Sequence, residues 1–243
     1  MNKNLYIYKT GNNFGDTIGY YILKKYFPKV KFDATSNDYL FFGGSTFHHH
    51  KSLGKMNSIV YFGNGLASFY EIDLPKCNNI QIYPRGESTK NMLERVGYKC
   101  NKPIGDVVQF IALEPIIKEV PKYSELWIKD AFNDIPIPKD AHCVAVCESP
   151  LTAGYEVMYD LKQFRYKIKD YEKVISSQIH PFLIALMLGK SAQLIYKDIR
   201  ALDICNFFDI PFNCSKEDAM KVRAISQKNT VAIKYLFNKI TKE

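Results

Sequence analysis

A handful of short segments in this 243-residue chain carry side chains able to hold or protonate an anion. In Tyr83-Pro84-Arg85-Gly86-Glu87-Ser88-Thr89 an apolar run ends, an arginine occupies the turn, and a helix with capping residues begins. A guanidinium is always charged and presents a planar fork to a carboxylate or phosphate. The N–H groups at a helix start add to such a site. Taken alone, Arg85 reads equally well as a surface side chain paired with Glu87. In Ser176-Ser177-Gln178-Ile179-His180-Pro181 the proline is comfortable only near a helix start, which puts His180 in the first turn. The helix dipole favours neutral imidazole there and a bound anion favours imidazolium, so His180 could give a proton to a phosphorylated substrate. A lone histidine is nevertheless more often structural. Asn12-Asn13-Phe14-Gly15-Asp16 follows the first apolar run and opens a helix. It reads either as a capped loop or as a turn that brings Asp16 to a crevice to bind or deprotonate a hydroxyl.

Other segments weigh against rival chemistries. Gly63-Asn64-Gly65-Leu66-Ala67-Ser68 approaches a dinucleotide fingerprint but ends in serine and lacks the acidic ribose partner, so it reads as a close-approach turn. His48-His49-His50 cannot all face one metal, and no acidic or cysteine partner stands at ligand spacing, so no metal is expected. The six cysteines form no CxxC pair and read as small apolar residues.

The elements that would position these residues alternate between strand and helix. Strand-like runs at 5–8, 38–42, 58–62, 79–83, 143–147, 173–175 and 193–196 are separated by helical stretches at 17–27, 87–96, 181–188 and 199–208. With glycines at several strand ends this predicts an α/β fold with mainly parallel sheets, whose ligands bind at the carboxyl ends of strands. The Pro- and charge-rich stretch 116–140 is expected to be a linker between lobes 1–115 and 141–243. Apolar residues make up 47% of the chain, enough for a core, and the longest apolar run falls far short of the ~20 residues of a membrane span. With no secretory h-region at its start, the chain is expected to be cytoplasmic. A net charge of +8 favours anionic partners, but no recognition helix, zinc finger or stacking motif supports nucleic acid among them. Ala219, Val222, Ile225, Ile233, Leu236 and Ile240 recur at helical spacing in a basic tail. That tail is read as a helix packed on the core, or as a peripheral helix at the inner face of a membrane near a lipid-linked substrate.

Together these segments have a recognisable order. Asn13-Phe14-Gly15-Asp16, the turns Gly43-Gly44-Ser45 and Gly63-Asn64-Gly65, the block Arg85-Gly86-Glu87-Ser88-Thr89 with Leu93, Gly97 and Gly105-Asp106, and Ser176 to His180 with Gly189 resemble the motifs of the polysaccharide pyruvyl transferase family, over residues 5 to about 210. The resemblance implies two Rossmann-like lobes similar to GT-B glycosyltransferases, the second lobe small. It implies transfer of a pyruvyl unit from phosphoenolpyruvate to two hydroxyls of a sugar acceptor in a cell-surface polysaccharide or its precursor, with no cofactor. By matching position Arg85 and His180 become donor-site residues, with His180 the general acid. Asp16 becomes the candidate to orient or deprotonate the acceptor, and Asn13, Ser177 and Gln178 become substrate-binding neighbours. The family's arginine two residues before the histidine is Gln178 here, and Lys197 or Arg200 could supply the missing charge. A GT-B-type glycosyltransferase using a nucleotide sugar and an inactive glycan-binding or assembly member are the alternatives.

Overall fold

The computed structural model describes residues 4–6, 14–44, 47, 55–66, 72, 74–75, 77, 79–131, 133–196 and 198–242. It is an α/β protein built on two sheets. The first contains β1 (Asn4–Tyr6), β2 (Asp38–Phe42), β3 (Ser58–Asn64) and β4 (Asn79–Pro84), side by side in chain order and all parallel. Helix α1 (Phe14–Tyr26) follows β1, and α2 (Glu87–Arg95) follows β4. The inner strands are buried on both faces, as parallel strands must be. Alternate side chains point to opposite faces. Leu40, Phe42, Val60 and Phe62 therefore join one apolar cluster, while Tyr39, Phe41, Ile59 and Tyr61 join another with Leu93 of α2.

The second sheet has the order β6-β5-β7-β8-β9, from β5 (Tyr123–Lys129), β6 (Cys143–Ala145), β7 (Tyr171–Ser176), β8 (Ser191–Leu194) and β9 (Asn213–Cys214). Its first four strands are parallel and β9 is antiparallel. Helices α3 (Leu161–Ile168), α4 (Ile179–Met187) and α5 (Ile199–Phe208) intervene. The strand order reverses between β5 and β7, the position in such sheets where ligands are expected beyond the carboxyl ends of the strands.

One expectation changes, two elements are added, and the packed reading of the tail holds. The stretch 116–140 is not a linker throughout, because it contains β5, an inner strand of the second sheet. Its first three residues are exposed, since β6 begins only opposite Trp127, and this polar half hides the strand pattern. Val107–Leu113, an apolar run that the sequence assigns to no element, is a 3-10 helix capped by Asp106, and α3 had no counterpart among the expected elements. The basic tail is α6 (Lys216–Lys242), and it packs on the core. Ala219, Val222, Ser226, Thr230, Ile233, Phe237 and Ile240 are buried at spacings of three and four. Its far end returns to the first sheet, where the Phe237 ring lies 4.2 Å from Phe27, 5.4 Å from Phe42 and 5.3 Å from Phe62. Midway, Arg223 donates 2.6 Å hydrogen bonds to the carbonyls of Met187 and Glu114, tying α6 to α4 and to the connection between the sheets. Among the described residues no helix is long and apolar enough to cross a membrane.

Candidate functional site

The carboxyl ends of β2, β3 and β4 are knitted together by their own backbone. The N–H of Gly43 donates to Phe62 at 2.9 Å, that of Gly65 to Gly44 at 2.9 Å, and that of Arg85 to Asn64 at 2.9 Å. Arg85 is thereby fixed just beyond β4. Its side chain does not reach outward to Glu87 but turns inward, where it is 1% exposed. The guanidinium lies against Gly65, so closely that a Cβ there would overlap it. The close-approach reading of that glycine turn thus acquires its object.

Arg85 Nη1 donates to Asp106 Oδ2 at 3.2 Å. The other Asp106 oxygen caps the 3-10 helix by accepting the Val108 N–H at 3.0 Å. His180 comes from the second sheet, in the first turn of α4, and brings Nε2 to 3.6 Å from the same Asp106 Oδ2. The turn before it is set by Ser176, whose hydroxyl accepts the Gln178 N–H and donates to the Gln178 carbonyl, both at 2.9 Å. Asp106 is completely buried. Burial alone would raise its carboxyl pKa, but the neighbouring His180 imidazole, the Arg85 guanidinium and the Val108 N–H outweigh it and hold it well below the usual carboxylate range. One carboxylate thus holds a cation from one sheet and an imidazole from the other, and the imidazole keeps 23% of its side chain exposed.

The guanidinium is only partly satisfied. Nε and Nη2 of Arg85 are buried with no hydrogen-bond partner among the described residues. A buried donor left unpaired costs about 1–3 kcal/mol, and more on a charged group. Nε and Nη2 form one edge of the guanidinium, the geometry that takes a carboxylate or phosphate through two parallel bonds.

The remaining expected site residues fare differently. Ser177 is buried and donates to Asp130, the residue after β5, so it bridges the two strands where the order reverses. Asp130 also accepts the Asn133 N–H at 3.1 Å. Gln178 caps α4 by backbone position without a side-chain bond. Arg200, on α5, is held by Asp198 at 2.7 Å through Nε, so its charge is already engaged. Asp16 lies within α1, whose start is anchored to the residue just after β6 by the Phe14 N–H on the Val146 carbonyl at 2.9 Å. Asn13, Lys197 and His48 to His50 lie outside the described residues. Asp106 is the residue sequence reasoning missed as a site member: its Gly-Asp motif stood out, but its two partners are distant in the chain.

Two open clefts lie apart from this cluster. One of about 480 Å³ is bounded by α1 and α3, and one of about 590 Å³ by the amino ends of β5 and β6. Neither is lined by Arg85, Asp106 or His180. Among the described residues no group of three or more His, Cys, Asp or Glu could hold a metal ion. The six cysteines form no disulfide, and burial pushes the Cys205 thiol up to about 11 and Cys214 to about 12, away from nucleophilic use.

No family model matches the chain, and no curated protein does. Among solved structures, a functionally uncharacterised protein from Klebsiella pneumoniae shares the fold at a TM-score of 0.53. The likeness covers 87% of this chain and 92% of that one at 13% identity, and shows the fold alone.

Proposed function

We propose that the chain is a ketal-pyruvyl transferase that moves the pyruvyl unit of phosphoenolpyruvate onto two hydroxyls of a sugar, within a two-lobed architecture of the GT-B kind. The observation that carries this reading is the buried Arg85 edge, Nε and Nη2, unpaired among the described residues and joined through Asp106 to the partly exposed His180. Phosphoenolpyruvate brings a carboxylate and a phosphate, and either fits that fork. The Ile179 and His180 N–H groups in the first turn of α4 would favour the second anionic group.

His180 gives a proton to the methylene carbon of the donor, which leaves C2 as an oxocarbenium-like centre. One sugar hydroxyl adds to C2 and loses its proton. The C2–O bond to phosphate then breaks, phosphate departs with the bonding pair, and the second hydroxyl closes the ketal and loses its proton. One acceptor proton restores His180 and the other leaves with phosphate. Asp106 holds the imidazole and the guanidinium together throughout and stays ionised. Asp16 is the proposed acceptor-side carboxylate.

A second reading, a non-catalytic glycan-binding protein, draws on Gln178, an uncharged residue at the head of α4. Calorimetric titration with phosphoenolpyruvate, with UDP and CMP in parallel, separates these readings. Saturable donor binding lost in Arg85→Ala, followed by phosphate release with hexosides bearing free 4- and 6-hydroxyls, is the expected result. Nucleotide binding without donor binding would move the assignment to a glycosyltransferase, and sugar binding without donor binding to the glycan-binding reading.

A further inference from the structure

Helix α5 follows β8 of the second sheet, yet one of its faces rests on the two turns that carry Arg85 and Asp106. Asp203 and Phe207 stand one helical turn apart on that face. Asp203 is fully buried and no cation pairs with it among the described residues. Its carboxylate instead accepts the Thr89 N–H at 3.0 Å and the Thr89 hydroxyl. Thr89 Oγ1 in turn accepts the Leu66 N–H at 3.1 Å. Asp203 therefore caps α2 from a distant part of the chain, because the residue in the N-cap position, Gly86, has no side chain to do so. The negative charge suits that helix end.

The glycines explain how α5 comes so near. A Cβ on Gly86, next to Arg85, would stand 2.6 Å from the Asp203 Cβ. A Cβ on Gly105, next to Asp106, would stand 2.8 Å from the Phe207 ring, and its φ of +79° is one that other residues rarely adopt. Successive turns of one helix thus bear on the two glycines that flank the Arg85–Asp106 ion pair.

We infer that Asp203 is a positioning residue for the anion site: its cap on α2 fixes the turn of Arg85, while Phe207 on the same helix fixes the turn of Asp106. The ligand it serves is the carboxylate- and phosphate-bearing donor, so this inference rests on the donor-site reading above. A misplacement of about 1 Å at such a fork is enough to cost orders of magnitude in function. The contact also makes donor affinity depend on a helix that supplies no ligand-binding group from this face.

The test uses the full chain as Asp203→Ala, Asp203→Asn and Thr89→Val. Phosphoenolpyruvate affinity is measured by calorimetry, the Arg85 Nε–H signal in 15N-arginine protein by NMR, and the Thr89 amide by hydrogen exchange without ligand. Asp203→Ala should weaken the donor about tenfold or more, shift the Arg85 signal and speed exchange at Thr89. Asp203→Asn, which keeps an oxygen for the Thr89 N–H, should recover most of the affinity. Thr89→Val keeps the Thr89 N–H bond to Asp203 but removes the hydroxyl bond and the acceptor of the Leu66 N–H; it should give an intermediate loss, and it serves if Asp203→Ala does not fold. Ile168→Val, buried in α3, is the stability control and should lower Tm without changing donor affinity. An unmoved Arg85 signal, or a loss of affinity no greater than in Ile168→Val at equal Tm, overturns the inference. Should the parent chain bind no phosphoenolpyruvate, the donor reading fails on its own, and the Arg85 signal and Thr89 exchange still decide whether Asp203 positions the turn.

Discussion

Replacing Arg85 by lysine would keep a cation in the core but remove the planar edge of Nε and Nη2. If the fork binds the donor, Arg85→Lys should weaken phosphoenolpyruvate about tenfold or more, and a parent-like titration would show that charge alone suffices. Asp106 offers a second handle through pH. Its folded-state pKa lies below the ordinary value, so the stability it contributes is fully present above about pH 4 and is lost as pH falls below that toward its folded value. Asp106→Asn leaves a buried guanidinium without its counter-charge and should cost roughly 3 kcal/mol at pH 7. The difference from the parent should shrink as the pH is lowered from 5 to 3 in denaturant titrations, and a difference constant across that range would contradict the assigned shift. Arg85 and His180 were legible because local grammar marks them: a strand end, a turn, a helix start. Asp106 and Asp203 were not, since each takes its meaning from a partner far off in the chain. Thr89 and Asp203 are 114 positions apart, and nothing in one sequence announces their hydrogen bonds.

Among the elements, those buried on one consistent face or on both were readable in advance. β2 and α5 have the expected bounds, and α4 begins where Pro181 requires. β5 escaped because only its second half is covered on both sides, and α3 because its buried positions are just Leu161, Phe164 and Ile168. The helical period of the tail marked α6, but Phe237, its most connected ring, fell outside the residues picked for the apolar face. Truncating that ring opens a cavity against Phe27, Phe42 and Phe62. Phe237→Ala is expected to cost about 3–5 kcal/mol in urea denaturation, and a loss under 1 kcal/mol would mean that α6 is not seated there. Arg223→Ala should also destabilise, because it strips donors from the Met187 and Glu114 carbonyls.

Taken whole, the two sheets do not have separate cores. One cluster of buried apolar residues runs from Phe42 and Phe62 through Phe110 and Phe182 to Val174 and Leu194. Differential scanning calorimetry should therefore give one transition with equal calorimetric and van't Hoff enthalpies, and two separable peaks would refute that unity. A chain ended at residue 115 should aggregate, since α6 no longer covers the face bearing Phe42 and Phe62. The return of α6 also has a temporal side. Phe62 and the ring that covers it are ~175 residues apart, and at about 5–20 residues per second a ribosome needs on the order of ten to thirty-five seconds to make the interval. During that time the nascent first sheet waits with one greasy flank uncovered. Its folding is completed by a stretch translated long after it, which makes chaperone occupancy, and not only native stability, a determinant of yield in the cell.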